Sequence, residues 1–384
     1  MSGTQHAIFK NKQSVTNELV GQALLQFKNG NIRQAKDLYQ RVLQDEPNHV
    51  IALNELGRIF LLHQKIEDAA TLFRKAITAN PEVAIPYKNL GTTLCEMGFC
   101  EEGFSFLRRY AELTFMPADP ATSPQPIAAH KVLHDQEQQA YLRNHAIGSV
   151  SYNSYHIEEA GRVHGRAINP NLATPLVAQQ WEQKTPKILV CDDFLTDDAL
   201  RALRKFCWGS TIWQRVYKNG YLGALPEHGI GSPLLAQIIE ELKTSLPSIL
   251  NDMPLVQFWS FKYDSSMKGI GVHADAATIN VNFWITPNEA NLNPDSGGMI
   301  IWDKPTPPDW DFKMYNQNDA AAREFLNANN ASPQIIPYRA NRAVIFDSSL
   351  FHETDTISFQ QGYHHRRIGM TLLFGKKGNP QQPQ

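Results

Sequence analysis

His273, Asp275 and His352 are the residues whose types and order point most directly to chemistry. His273-Ala274-Asp275 stands just before a β-branched and aromatic stretch at 279–285. Side chains two apart on an extended chain project to the same side, so this imidazole and this carboxylate converge. His352 follows a second apolar stretch, Ala343 to Phe346. Two histidines and one carboxylate hold one face of a metal and leave the other open. That arrangement suits non-haem iron(II), which must take a co-substrate and oxygen together. His156-Ile157-Glu158 is a competing His-x-Glu pair in a stretch without pattern. Around the first set lie Tyr263, ten residues before His273, and the pair Arg366-Arg367, which opens the apolar run Ile368 to Phe374. Asn282 and Trp284 alternate on one face of the 279–285 stretch. They either line a pocket or serve as a satisfied buried amide and a core indole.

These residues need strands to hold them. Val256–Tyr263, Ile279–Ile285, Met299–Trp302, Ala343–Phe346 and Ile368–Phe374 are β-branched or aromatic runs bounded by Gly, Pro, Asn and Asp, the pattern of short strands. Ile188-Leu189-Val190 predicts a further short strand. Helices are predicted from Asp197 to about Cys207, with Thr196 as N-cap, and from Leu234 to Leu246. Many short strands after a helical lead-in predict a barrel or sandwich with helices on one side. A proline-rich stretch from Lys304 to Trp310, followed by a helix at Asp319–Asn327, interrupts the strands. It either covers the site or is a surface excursion packed by Trp310 and Phe312.

The order Tyr263, His273-x-Asp275, Gly297-Gly298, His352, Arg367 resembles the prolyl-hydroxylase-like branch of the Fe(II)/2-oxoglutarate oxygenases, over residues 187–375. The resemblance implies a double-stranded β-helix (jelly roll), with His273, Asp275 and His352 as iron ligands. It implies that Arg367 binds the distal carboxylate of 2-oxoglutarate, for which a guanidinium fork is well shaped. Arg366 is the other candidate; Gly369 and Thr371 share the face of Arg367, as in the final strand of the family. Tyr263 matches the tyrosine that hydrogen-bonds the co-substrate. With a carboxylate at Asp275, hydroxylation is implied rather than halogenation. Oxygen and 2-oxoglutarate would be consumed, succinate and CO2 released, and a substrate C–H bond hydroxylated. The spacing of fifteen residues from His352 to Arg367 is longer than usual for the family, and the extra histidines, His364 and His365, are expected to be exposed.

Residues 16–117 repeat with a period of 34: Gly30, Gln64 and Gly98 are equivalent, as are Ala35, Ala69 and Gly103, and Tyr39, Phe73 and Leu107. Pro47 and Pro81 close two units, Pro117 follows the third, and Leu56-Gly57 and Leu90-Gly91 mark close helix contacts. The pattern resembles three tetratricopeptide repeats, an all-α solenoid whose units bury their apolar faces on one another. The whole chain is then an α+β protein: repeats at 16–117, a linker and capping helix at 118–186, with the helix at about His134–Ile147, and the oxygenase domain at 187–376. A short repeat array either docks a peptide or protein substrate or is a packing and dimerisation arm. The corresponding activities are hydroxylation of a polypeptide, or the same chemistry on a small metabolite. A silent binding scaffold is the third reading, and the intact ligand set weighs against it.

A formal net charge of −2 over 384 residues gives no basis for nucleic-acid or anionic-membrane binding. Four dispersed cysteines without a Cys-x-x-Cys pair fit a reducing compartment. The polar start, residues 1–13, has no signal-peptide core, and no run reaches membrane-span length. The expectation is a soluble, cytoplasmic protein that leaves room for a homodimer.

Overall fold

The computed structural model describes residues 3–115, 128–145, 155–172, 174–267 and 269–376, with side chains from residue 14. The chain divides into two compact units after Thr114. The proline-rich stretch 116–127, expected to be a linker, lies outside the described residues, as does Pro117.

The first unit is three helical hairpins: α1 (Gly3–Lys28) with α2 (Ile32–Asp45), α3 (Val50–Leu62) with α4 (Ile66–Ala79), and α5 (Ile85–Glu96) with α6 (Cys100–Thr114). Gly30, Gln64 and Gly98 turn each hairpin at φ of +80°, +57° and +91°. This left-handed conformation favours glycine and is strained for Gln64. Ala35, Ala69, Tyr39, Phe73 and Leu107 are fully buried. A Cβ at Gly91 would lie 2.7 Å from the Gly103 carbonyl oxygen, so these two glycines let α5 and α6 touch backbone to backbone. Cys95, Cys100, Cys191 and Cys207 are free thiols, all buried. No helix among the described residues is long and apolar enough to cross a membrane.

The second unit is β-rich. In chain order it contains α7 (Ala129–Asn144), α8 (Pro175–Gln183), β1 (Ile188–Cys191), α9 (Asp197–Gly209), β2 (Arg215–Val216), β3 (Tyr221–Ala224), α10 (Pro233–Ser245), α11 (Pro247–Leu250), β4 (Leu255–Tyr263), β5 (Ser266–Met267) and β6 (Ile279–Trp284). There follow β7 (Met299–Pro305), α12 (Phe312–Gln317), α13 (Asp319–Ala328), β8 (Pro333–Ile336), β9 (Ala343–Asp347), β10 (Leu350–Thr354), β11 (Ile357–Ser358) and β12 (Ile368–Phe374). A seven-stranded antiparallel sheet has the order β1-β9-β6-β12-β4-β3-β2; β10-β7-β8 form a second sheet and β11-β5 a third. One core cluster joins Tyr263, Trp284, Val344 and Phe346 of the large sheet to Met299, Ile301, Ile336 and Leu350 of the second.

His352 follows β9 as expected and itself lies on a further strand, β10, which pairs with β7. Several expectations need correction. Thr196 occupies the N-cap position of α9, but its hydroxyl donates to the Arg166 carbonyl at 3.0 Å and makes no cap bond. The helix expected from about His134 begins earlier, at Ala129, and spends its buried face within the second unit. Gln138 donates to the Ser210 carbonyl and the Tyr363 hydroxyl, both at 2.8 Å. His364 is half-buried, edge-on to Trp208 at 4.8 Å and to Tyr141 at 5.0 Å, because the segment before β12 folds onto α7 and α9. His365 is likewise only partly exposed, its Nδ1 2.9 Å from the Gln361 carbonyl. Residues 155–172, which lack any period, form a strap held by side chains of α10. Glu241 accepts from the N–H groups of Ala167 and Ile168, each at 2.9 Å.

The excursion at 303–330 is packed by Trp310, as expected, but not by Phe312. Phe312 is exposed, whereas Trp310, Tyr315, Phe325 and Leu326 cluster with Val272, Ala274 and Phe351. It therefore backs the segment that carries His273 and Asp275.

Candidate metal centre

Alternation along two extended segments builds the site. Val272 and Ala274 face the cluster behind, so His273 and Asp275 face forward; Phe351 and His352 split in the same way. The two segments are locked in register. The His273 N–H donates to the His352 carbonyl at 3.0 Å and the His352 N–H donates back at 2.8 Å. The Asp275 N–H donates to the Ser348 carbonyl at 3.2 Å, and that of Ala274 to the Tyr315 carbonyl at 2.9 Å.

Each histidine turns its Nδ1 to a backbone carbonyl: His273 to Gly271 at 2.8 Å, His352 to Leu350 at 3.0 Å. Nδ1 is then the protonated nitrogen, and the Nε2 lone pairs are left to point at one locus. They lie 4.0 Å (His273) and 3.5 Å (His352) from the two oxygens of Asp275. One donor atom from each residue falls within 4.8 Å of the others, the one such group among the described residues. Burial, then the neighbouring His352, lowers the His273 pKa to about 4, so the ring is neutral and able to ligate. Burial alone would raise the Asp275 carboxyl, but its neighbours His352 and His273, and then the Asn280 amide that donates to it, hold it below its ordinary value. Two imidazoles and one carboxylate on one side, with orienting bonds behind them, fit a divalent ion with open positions.

His156 and Glu158 do not build a rival site. They approach to 4.0 Å, but Glu158 is paired with Lys205 at 2.9 Å and no third ligand joins them among the described residues.

One small cavity brings together His273, Asp275, His352, Tyr263, Asn282, Trp284 and Arg367, and adds Trp259, Phe261, Gly369 and Thr371. Arg367 is 3 % exposed. Its Nε donates to the Gly297 carbonyl at 2.6 Å and an Nη to that of Gly298 at 3.2 Å. The rings of Tyr263, Trp284 and Tyr338 surround the guanidinium at 4.9, 5.4 and 5.9 Å. No carboxylate of the described residues pairs with it. Arg366 points elsewhere and is already neutralised, by Glu137 at 2.9 Å and Asp264 at 3.1 Å. Gly298 is required here, since a Cβ would lie 1.9 Å from the Ile336 carbonyl oxygen.

Asn282 is both a satisfied amide and a lining residue. It accepts from Thr371 Oγ1 at 2.7 Å and donates to Asn280 Oδ1 at 2.6 Å. Asn280, which the sequence reading missed, donates in turn to Asp275 Oδ2 at 2.7 Å. Its place on β6, two residues before Asn282 and on the same face, was the available signal. Trp284 is likewise core and lining at once, 2 % exposed. Tyr338 was also missed; it lies in a loop and its hydroxyl donates to the Thr286 carbonyl at 2.5 Å.

Among known proteins, residues 20–84 match the tetratricopeptide repeat family. Two solved structures are similar to part of the chain. One is the first tetratricopeptide domain of Spaghetti (RPAP3) bound to an HSP90 peptide, at 19% identity over 26% of this chain and 79% of that one, with a TM-score of 0.25. The other is YrrB, a repeat protein with an unusual peptide-binding site, at 22% identity over 29% of this chain and 58% of that one, with a TM-score of 0.26. No curated protein matches the chain. The N-terminal region thus carries tetratricopeptide repeats, followed by the β-rich region that holds the candidate centre.

Proposed function

We propose that the β-rich unit is a double-stranded β-helix oxygenase that uses Fe(II), 2-oxoglutarate and O2 to hydroxylate a C–H bond of a peptide or protein, with the repeats as its docking arm. One observation carries the reading. A three-ligand, open-faced centre shares a cavity with a buried guanidinium that has no carboxylate partner among the described residues. A buried charge without a counter-charge is expensive, so a bound carboxylate would complete the site.

When bound, the iron would supply oxygen activation coupled to decarboxylation of 2-oxoglutarate. The chain's own contribution is placement. His273, Asp275 and His352 hold one side of the ion, and Asn280 fixes Oδ2 of Asp275, the oxygen nearer His352. Arg367 holds the distal carboxylate of the co-substrate, and Tyr263 stands beside it with its hydroxyl near Arg367 and Thr354. Trp284, Tyr338 and Tyr263 exclude water from that ion pair, which strengthens it. Asn282 and Thr371 line the interval between the two ends.

The test is succinate formation from 2-oxoglutarate with Fe(II) and oxygen, with metal affinity measured separately by competition with a chelator. Wild-type protein should bind one Fe(II) and form succinate slowly without substrate. His273→Ala, Asp275→Ala and His352→Ala should each abolish both, and His156→Ala neither. Unchanged iron affinity in the three variants would refute the centre.

A further inference from the structure

The sheet face that carries the pocket continues past it across three strands. Register pairs Gly369 of β12 with Phe261 of β4, Phe261 with Gly223 of β3, and Gly223 with Arg215 of β2. Directly paired residues share a face, so Arg215 stands on the side that carries Phe261. Close contacts agree: a Cβ at Gly223 would lie 3.3 Å from both the Arg215 Cβ and the Phe261 ring. With strands about 4.8 Å apart, Arg215 lies two spacings, on the order of 10 Å, beyond the pocket edge at Phe261.

Aromatic rings pave that interval. Phe261 meets Tyr217 edge-on at 5.5 Å, and the Arg215 guanidinium rests 5.8 Å from the Tyr217 ring. Trp259 lines the pocket beside Thr371, its partner on β12. Two polar groups on this wall have bonding capacity that the described residues leave unused. The buried indole N–H of Trp259 has no acceptor among the described residues. Exposed Arg215 hydrogen-bonds the Tyr217 hydroxyl but makes no ion pair with any described carboxylate; Glu227 is close enough to act on Tyr217, and Glu353 in the pocket is committed to Arg323. Buried donors are nearly always satisfied, so a ligand that brought an acceptor to the Trp259 N–H would complete this wall.

We propose that this wall is the primary-substrate subsite, and that its substrate is an acidic peptide. Its backbone carbonyl would accept from Trp259, its apolar part would lie over Phe261 and Tyr217, and its carboxylate would meet Arg215. An extended peptide rises about 3.3 Å per residue, so the carboxylate belongs about three residues from the part seated at Phe261. The proposal rests on the oxygenase reading and specifies its substrate class.

The test uses full-length protein with Mn(II) and 2-oxoglutarate, where no turnover occurs, and fluorescein-labelled peptide pools read by anisotropy. Acetylated, amidated pools carry Glu at one fixed position and are compared with matched Gln pools; a third set ends in a free carboxylate. At least one acidic pool should bind tenfold or more tighter than its neutral match, and Arg215→Gln should erase that preference. Trp259→Phe should weaken acidic and neutral pools alike by several-fold. A preference confined to free-terminus pools supports the subsite and assigns the carboxylate to a chain end. Equal binding of Glu and Gln pools, no binding by any pool, or a preference that survives Arg215→Gln would overturn it. Titrations of Mn(II) and 2-oxoglutarate without peptide judge the oxygenase reading separately: their failure, with an Arg215-dependent acid preference intact, removes the chemistry and leaves the subsite.

Discussion

The Asp319 carboxylate accepts a hydrogen bond from the Val272 N–H at 2.6 Å and so ties α13 to the residue before His273. Arg323, one turn along α13, donates to the other Asp319 oxygen at 3.0 Å and also pairs with Glu353, the residue after His352. One arginine thus spans both histidine segments. Arg323→Ala should weaken divalent-metal binding by about tenfold or more, the usual effect of losing an orienting partner behind the ligands. Chelator competition measures this. The coupling is refuted if metal affinity stays at the wild-type value in a variant that has lost both contacts.

Arg367 and Arg366 are neighbours in sequence with opposite surroundings, and their variants should separate cleanly. Arg367→Ala should raise the dissociation constant for 2-oxoglutarate by on the order of a hundredfold or more, since a buried carboxylate would lose its charge partner. Metal affinity should change little. Arg366→Ala should leave the co-substrate constant near wild type and lower unfolding stability by about 3 kcal/mol, because Glu137 and Asp264 lose a largely buried partner. Isothermal titration and urea unfolding of both variants give the comparison. The opposite assignment of effects would place the co-substrate arginine at 366.

His134 of α7 is fully buried, with Nδ1 3.0 Å from Asp135 and Nε2 3.2 Å from Lys262. Burial, followed by the Lys262 charge, pushes its pKa well below the ordinary histidine value. The unfolded chain therefore binds a proton that the folded chain refuses, in the window below about pH 6.5. Stability should fall as pH is lowered through that window, by up to about 1.4 kcal/mol per pH unit from this one group. His134→Gln should flatten the slope between pH 7.5 and 5.5 in metal-free protein. Urea unfolding at the two pH values checks it, and an equal slope in wild type and variant would contradict the assignment.

What the sequence disclosed follows from the range of the forces involved. Strand alternation is local, so His273 with Asp275, and Asn282 with Trp284, could be assigned to common faces before any fold was known. The 34-residue period was legible because each repeat is the same local problem solved three times. Long-range pairing was not. Nothing near His352 announces that it exchanges backbone hydrogen bonds with His273, nor that Arg366 meets Glu137 on a helix more than two hundred residues earlier. The strap at 155–172 has no period because side chains of α10, and Ser210 and Thr211 just after α9, satisfy much of its backbone in place of a ladder of its own. Nothing near Lys262 in the sequence announces its burial. It is 1 % exposed, under the rings of Trp213 and Tyr363 at 4.4 and 4.2 Å, because α7 and the turn before β12 fold over that face.

The docking role proposed for the repeats can be tested by removing them. The chain divides after Thr114, so a protein beginning at residue 115 retains every residue of the candidate centre. It should melt cooperatively, bind Fe(II) and 2-oxoglutarate as the full chain does, and form succinate slowly without substrate, since those steps need only the β-rich unit. If the repeats hold part of a polypeptide substrate, oxidation of that polypeptide should collapse through a raised apparent KM with kcat largely kept. Remote contacts made equally in ground and transition states contribute uniform binding, and losing them leaves the chemical step alone. A short peptide that reaches only the pocket wall should be oxidised equally well by both proteins. Were the substrate a small metabolite, its KM and kcat would be unchanged on truncation. A folded truncation that oxidises the long polypeptide with wild-type KM would leave the repeats a structural or dimerising role.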